Sequence, residues 1–139
     1  MSVDACKIIS LPKYTDLRGN LSVVEESIHI PFDIKRVYYL YDVPIGVSRA
    51  GHGHEKLQQV IIAISGSFDV IVDDGAERKL FHLDRPDHGL YIPEMMWREV
   101  ENFSSEGVCL VLASTLFNSD DYYNQYNDFL SAIKVASKK

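Results

Sequence analysis

The feature that most restricts this chain is the spacing of its apolar runs. Up to about Ser114, apolar segments of four to eight residues alternate with turn residues, and no helical period intervenes. IKRVYYLYDV (Ile34 to Val43) is β-branched and aromatic, with Arg36, Tyr38 and Leu40 on one face and Val37, Tyr39 and Tyr41 on the other. LSVVEESIHI (Leu21 to Ile30) reads as extended until Pro31. QVIIAISGSFDVIVDDG (Gln59 to Gly75) reads as two strands broken at Ser65-Gly66, closing on the hairpin signal Asp74-Gly75. ERKLFHL, GLYIP, WREVENF and GVCLVLAS supply the rest. Many short strands in series predict an all-β sandwich or barrel.

Only the tail departs from this pattern. Tyr122, Tyr126, Phe129 and Ile133 recur at helical spacing, and Ser119 with the aspartates after it suits a helix N-terminus. One amphipathic helix is therefore expected over about 119–135, lying on the β-domain or on a second subunit. At 139 residues, a single domain spanning 1–139 is expected.

Charge narrows the partners. A net charge of −6 argues against a general nucleic-acid binder, but leaves room for one phosphorylated small molecule held by a few local arginines. No run approaches the roughly 18 uninterrupted apolar residues of a membrane span, and MSVDACKIIS lacks the apolar stretch of an export signal. A cytoplasmic protein is expected. Cys6 and Cys109 lie far apart, match no zinc or redox spacing, and read as reduced thiols.

The chemistry concentrates in RAGHGHEKLQQV (Arg49 to Val60). In a strand, His52 and His54 project to the same face, with Gly51 and Gly53 keeping the neighbourhood free of bulk. Gly46, His52, His54, Gln59 and Gly66 stand at spacings that resemble the first signature of the cupin superfamily, a jelly-roll barrel. That signature usually carries glutamate where this chain has Gln59. GLYIPEMMWREVEN resembles the second signature, keeping Gly89, Pro93 and Asn102, but Arg98 stands about where the metal-binding histidine would be. Two of four ligands are left, fewer than a catalytic metal requires, so no metal is expected. Unligated imidazoles titrate near neutrality and suit removal of a proton from carbon beside a carbonyl. Two on one face could take a proton from one carbon and assist its return at another, the requirement of an enediol isomerisation. Arg18, Arg36 and Arg49 lie close in sequence and add a phosphate hint.

The ordered set DLRGNLSVVEE, IPFDIKRVYYLYDV, RAGHGHEKLQQV, GSFDVIVDDG, GLYIPEMMW, FSSEGVCLVLAS and DYYNQYNDF resembles the sugar 3,4-ketoisomerases of the FdtA/QdtA type, from about Lys7 to Ile133. The resemblance implies an all-β cupin jelly-roll like that of the dTDP-sugar epimerases, with one C-terminal helix. It implies a homodimer with exchanged N-terminal strands, and no metal or organic cofactor. The implied reaction converts dTDP-4-keto-6-deoxyglucose to a 3-keto sugar, on the way to 3-amino sugars of surface polysaccharides such as O-antigen, lipopolysaccharide or S-layer glycan. Carried onto this chain, the bases fall on His52, which takes the C3 proton, and His54, which assists proton return at C4 or polarises the oxygens. Arg36 and Arg49 fall on the pyrophosphate, and Tyr38, Gln59 and Tyr91 on the cavity wall or the sugar. Arg18-Gly19 resembles the branch whose product has the galacto configuration. Trp97-Arg98 departs from the Trp-His usual in the family, which puts one sugar or phosphate contact in doubt without removing a base.

Three other readings stay open at this stage. A dTDP-sugar 3,5-epimerase would exchange a proton at C5 as well as C3. A metal-binding cupin would hold near-stoichiometric metal. A non-catalytic sugar-nucleotide-binding module would bind nucleotide and leave the sugar unchanged.

Overall fold

The computed structural model describes residues 2–137. Its strands are β1 (Lys7–Ser10), β2 (Lys13–Asp16), β3 (Gly19–Ser22), β4 (Arg36–Leu40), β5 (Arg49–His54) and β6 (Gln59–Ser65). There follow β7 (Phe68–Asp73), β8 (Arg78–Leu83), β9 (His88–Ile92), β10 (Met96–Glu101), β11 (Val108–Ala113) and β12 (Tyr122–Tyr123), then helix α1 (Tyr126–Ser137). One five-stranded sheet has the order β1-β9-β6-β11-β4, and a second has the order β12-β5-β10-β7-β8. The strands pair antiparallel throughout both sheets. This is the cupin-like jelly-roll expected, as two facing sheets rather than a closed barrel.

Periodicity explains most of it. On β7, Phe68, Val70 and Val72 are buried in the core between the sheets, whereas Asp69 and Ile71 face outward. On β6, Ile61 and Ala63 enter the same core, while Val60 and Ile62 join a second cluster on the outer face with Leu11, Ile30 and Phe32. A strand buried on both sides over 60–63 needs the continuous apolar run VIIA. The chain passes from β6 to β7, and so between the sheets, at Gly66. Its φ is +61°, and a Cβ there would meet Ser104 Oγ and the Gly107 amide.

Two expectations change. Of Leu21 to Ile30, only Leu21 and Ser22 lie in a strand; Glu26 and Ile30 share an isolated bridge. The outer face of β6 holds Ile30 in place of a neighbouring strand. The helix begins at Tyr126, not near Ser119. Asn118 caps a single 3-10 turn over Ser119–Asp121, and Tyr122 and Tyr123 then pair with His54 and Gly53. Sheet edge wins over helical propensity here, because β5 offers unpaired backbone groups alongside.

Helix α1 covers the outer face of the second sheet. Phe129 is fully buried over Gly53, and Trp97 lies over Gly51, each so close that a Cβ on the glycine would collide with the ring. Gly53 thus makes room for the helix and Gly51 for the Trp97 ring beneath it, on the face opposite the imidazoles. Tyr126 donates its hydroxyl to buried Asp73 (2.8 Å), which also accepts from Arg78 (2.7 Å). No helix among the described residues is long and apolar enough to cross a membrane. Phe129→Ala is expected to lower the unfolding free energy by about 3–5 kcal/mol in urea titration. A loss below about 1 kcal/mol would mean that this ring does not anchor α1 to the sheet.

Candidate active site

Between the sheets opens a cavity of about 240 Å³. His52 and His54 reach it from β5, Arg36 and Tyr38 from β4, Gln59 from β6 and Arg98 from β10. Arg49 stands at the start of β5 and also lines it. The alternation expected for β4 holds, since Arg36, Tyr38 and Leu40 face the cavity while Val37, Tyr39 and Tyr41 are exposed. The remaining wall is apolar, with Ile61, Val100 and Val111 among its residues.

A chain of hydrogen bonds crosses the floor. Arg98, 4% exposed, donates from Nη1 to Gln59 Oε1 (2.5 Å) and from Nη2 to the Met96 carbonyl (2.7 Å). Gln59 Nε2 in turn donates to the Tyr38 hydroxyl (2.8 Å). With that oxygen accepting, the Tyr38 proton is left to donate elsewhere. Burial holds the Tyr38 phenol above its ordinary pKa, so it remains a donor at neutral pH. Burial pulls the Arg98 guanidinium down to about 10, still charged at neutral pH.

These cations govern the imidazoles. Burial, then Arg98 and Arg49, lowers the His52 pKa from its usual 6.5. His54, 2% exposed, is pulled to about 2 by burial, Arg98, His52 and Arg36. Both rings are therefore neutral at pH 7 and have a free lone pair. Their centroids are 6.3 Å apart. Cys109 also lines the cavity, but burial pushes its thiol up to about 12, so it is wall and not nucleophile.

The residues do not suit a metal. Gln59 Oε1, at the position where the cupin signature usually carries a glutamate ligand, is already taken by a guanidinium, and that fixed positive charge repels a cation. Among the described residues no three His, Cys, Asp or Glu side chains cluster as ligands. The cavity suits an anion instead. Among the described residues, the buried side-chain nitrogens without a hydrogen-bond partner are Arg36 Nε, His54 Nδ1 and Arg98 Nε, and all three belong to it. Buried donors left open in one place mark where a polar ligand or solvent belongs.

Of the site residues read from sequence, His52, His54, Arg36, Tyr38, Arg49 and Gln59 meet here. Tyr91 does not. Its neighbours Leu90 and Ile92 fill the core, so strand alternation turns Tyr91 to the outer cluster, where its hydroxyl donates to Gln58 (2.7 Å). Arg18 and Gly19 also stay away, at the tip of the β2–β3 hairpin, where exposed Arg18 is paired with Asp16 (2.6 Å). Two residues join without having been assigned a place. In the sequence Arg98 stands in place of a metal-binding histidine and leaves one sugar or phosphate contact in doubt. Tyr122 stands edge-on to both imidazoles, 4.2 Å from the His54 ring centroid and 5.3 Å from that of His52. Its helical spacing hid it, although the aromatic pair Tyr122-Tyr123 favours a strand.

With this geometry, the comparisons with known proteins agree. The family described as FdtA: WxcM-like, C-terminal matches residues 4–134. The TDP-4-oxo-6-deoxy-alpha-D-glucose-3,4-oxoisomerase of Aneurinibacillus thermoaerophilus is 44% identical over 123 residues, covering 88% of each chain. The crystal structure of the WlaRB TDP-quinovose 3,4-ketoisomerase of Campylobacter jejuni superposes with a TM-score of 0.87 at 44% identity, over 91% of this chain and 97% of that one. The QdtA 3,4-ketoisomerase of Thermoanaerobacterium thermosaccharolyticum was solved as a histidine-to-asparagine mutant with TDP-4-keto-6-deoxyglucose. It gives a TM-score of 0.91 at 37% identity, over 94% of each chain. The fold and cavity define an arginine-lined cupin of the sugar-nucleotide isomerase class. The chain belongs to the FdtA, WxcM-like family of enzymes, whose relatives here are TDP-sugar 3,4-ketoisomerases.

Because folded His54 resists protonation down to about 2 and the unfolded chain protonates it near 6.5, the folded state loses stability as pH falls below 6.5. This one residue contributes a slope of up to roughly 1.4 kcal/mol per pH unit in that window. In urea titrations between pH 6.5 and 5, His54→Gln should show a shallower loss than the parent protein. An equal slope would show that His54 is not held neutral.

Proposed function

We propose that this protein is a TDP-4-keto-6-deoxyglucose 3,4-ketoisomerase that works by histidine acid/base chemistry without metal or organic cofactor. The observation that carries it is a pair of neutral imidazoles side by side in a cavity ringed by Arg36, Arg49 and Arg98. The arginines suit a sugar diphosphate and the imidazoles a carbon acid. Family membership supplies the substrate.

In this reading His52 takes the proton from C3, which the C4 ketone acidifies. The C3–H electrons form the C3–C4 double bond, and the carbonyl electrons move onto the C4 oxygen. Tyr38, whose proton is left free by the bond from Gln59, donates to that oxygen. The O3 proton passes to O4 by way of the Tyr38 hydroxyl, and His52 releases the C3 proton to solvent. C4 gains one proton from solvent with help from His54, so that the ketone stands at C3 and a hydroxyl at C4. C4 is reduced as C3 is oxidised, so no external redox partner is needed. The diphosphate's negative charge offsets Arg36 and Arg49, raising the basicity of the imidazoles once substrate is bound.

The product is read as the galacto 3-keto sugar, on the resemblance carried by Arg18-Gly19. Its proton NMR spectrum in H₂O should show a small H4–H5 coupling; the large diaxial coupling would mean the gluco sugar. The protein is read as a cytoplasmic homodimer with exchanged N-terminal strands that binds neither nucleic acid nor membrane. In support, β2 and β3 pair only with each other, and Tyr14, Leu17 and Leu21 are exposed on that hairpin.

Incubation with TDP-4-keto-6-deoxyglucose in D₂O should give a 3-keto product with deuterium at C4 and none at C5. Folded protein that yields no 3-keto product would sink the reading, and deuterium at C5 would favour an epimerase. His52→Asn should abolish turnover with TDP affinity within a few fold, because a base acts on the transition state more than on ground-state binding. Arg49→Ala should chiefly weaken TDP binding. The reverse pattern would exchange the two roles. Sedimentation should give twice the chain mass, and a monomer would contradict the exchanged dimer.

A further inference from the structure

The short strand β12 sits at the edge of the second sheet, and its Tyr122 ring reaches the cavity face of β5. Tyr122 pairs in register with His54, Tyr123 with Gly53. The Tyr122 ring stands T-shaped to the His54 ring at 69° and to the His52 ring at 78°, so it abuts both at once. The strand is only two residues long, and its hold comes from the residue before it. The Asp121 carboxylate accepts the Lys56 amide (2.9 Å) and the Leu57 amide (3.3 Å), while the Asp121 carbonyl accepts the Glu55 amide (3.1 Å). Three consecutive amides directly after His54 are thus tied to Asp121. The strand is held on its other side by α1, whose Phe129 packs against Tyr123.

We propose that Tyr122 is a positioning residue for proton transfer: its ring fixes the His52 and His54 imidazoles and shields them from water, and Asp121 pins the strand that carries it. This rests on the ketoisomerase reading for its kinetic consequence, but not for its geometry. Among the described residues neither imidazole ring makes a hydrogen bond that would orient it, and His54 Nδ1 is buried without a hydrogen-bond partner. Packing against Tyr122 is the orienting contact that both rings share. An imidazole free to rotate about χ2 would spend much of its time with the wrong nitrogen toward the sugar.

Besides His52, which bears on His54, the groups that bear on these rings are Arg36 from β4, Arg49 from β5, Arg98 from β10, and Asp121, whose Oδ2 lies 3.7 Å from His54 Nδ1. Removing the Tyr122 ring leaves all four charges in place and admits water. Burial is the largest cause of both lowered imidazole pKa values, so the pKa values should rise.

The test compares Tyr122→Phe with Tyr122→Ala, with Tyr122→Leu as the second variant should the alanine protein fail to fold. Tyr122→Phe should keep kcat within about twofold. The variants lacking a ring should lose kcat by about ten- to a hundredfold with KM within about threefold. They should also move the acid limb of kcat/KM upward, toward 6.5, which a purely structural strand would not do. Nitrogen-15 NMR of the imidazoles, without substrate, should show the same upward shift. That readout stands even if the substrate assignment fails, so the two ideas fail separately. Unchanged kcat and unchanged imidazole titration in the ringless variants would overturn the proposal. A Tyr122→Phe protein as impaired as the ringless ones would also overturn it, since the hydroxyl would then take part in the chemistry.

Discussion

The hydrogen bond from buried Arg98 to Gln59 is the constraint on which the site depends. It takes up the amide oxygen at the position of a metal ligand, and places a positive charge on the cavity floor. The same bond turns Gln59 so that its NH₂ meets Tyr38, which leaves the phenol proton for a ligand. The charge is the second-largest cause, after burial, of the lowered pKa of both imidazoles. A guanidinium this far from water is costly, and only part of its hydrogen-bonding capacity is met by the protein, since Arg98 Nε has no partner. An anionic or polar ligand would meet the rest.

The second sheet works on both of its faces. Inward it presents His52, His54 and Arg98; outward the alternate positions Gly51, Gly53 and Trp97 receive helix α1. Strand period makes this division automatic. The missing side chain of Gly53 lets Phe129 of the helix lie close, that of Gly51 makes room for Trp97, on which Phe129 packs, and β12 pairs alongside His54. Stability and chemistry are therefore built on the same few residues, so substitutions at the glycines should affect both.

How much of this the sequence reveals follows from the range of the interactions involved. Alternation on β4, β6 and β7 is local, and it correctly assigned Arg36 and Tyr38 to one face and the hairpin to Asp74-Gly75. The shared face of the His-x-His pair is legible for the same reason, whereas Gln59 is legible only through its place in the cupin-like spacing. Tyr91 was misdirected because its strand was recognised but not which of its faces meets the cavity; that depends on the opposing sheet. Tyr122 was read as helical because its spacing to Tyr126 and Phe129 fits a helix, and only the free edge of β5, distant in sequence, pulls it into a strand. Arg98 could be seen as a substitution for a ligand, but its bond to Gln59 spans 39 residues. What the sequence left hidden is contact between distant strands.

The central claim is that two neutral imidazoles, and not a metal, face the reacting carbons of a sugar held by arginines. A crystal structure of the protein with a TDP-linked sugar tests it most directly. The account predicts the diphosphate against Arg36 and Arg49, with C3 and C4 within about 3–3.5 Å of imidazole nitrogens of His52 and His54. A diphosphate bound elsewhere, or a sugar whose C3 and C4 lie beyond reach of both histidines, would contradict it.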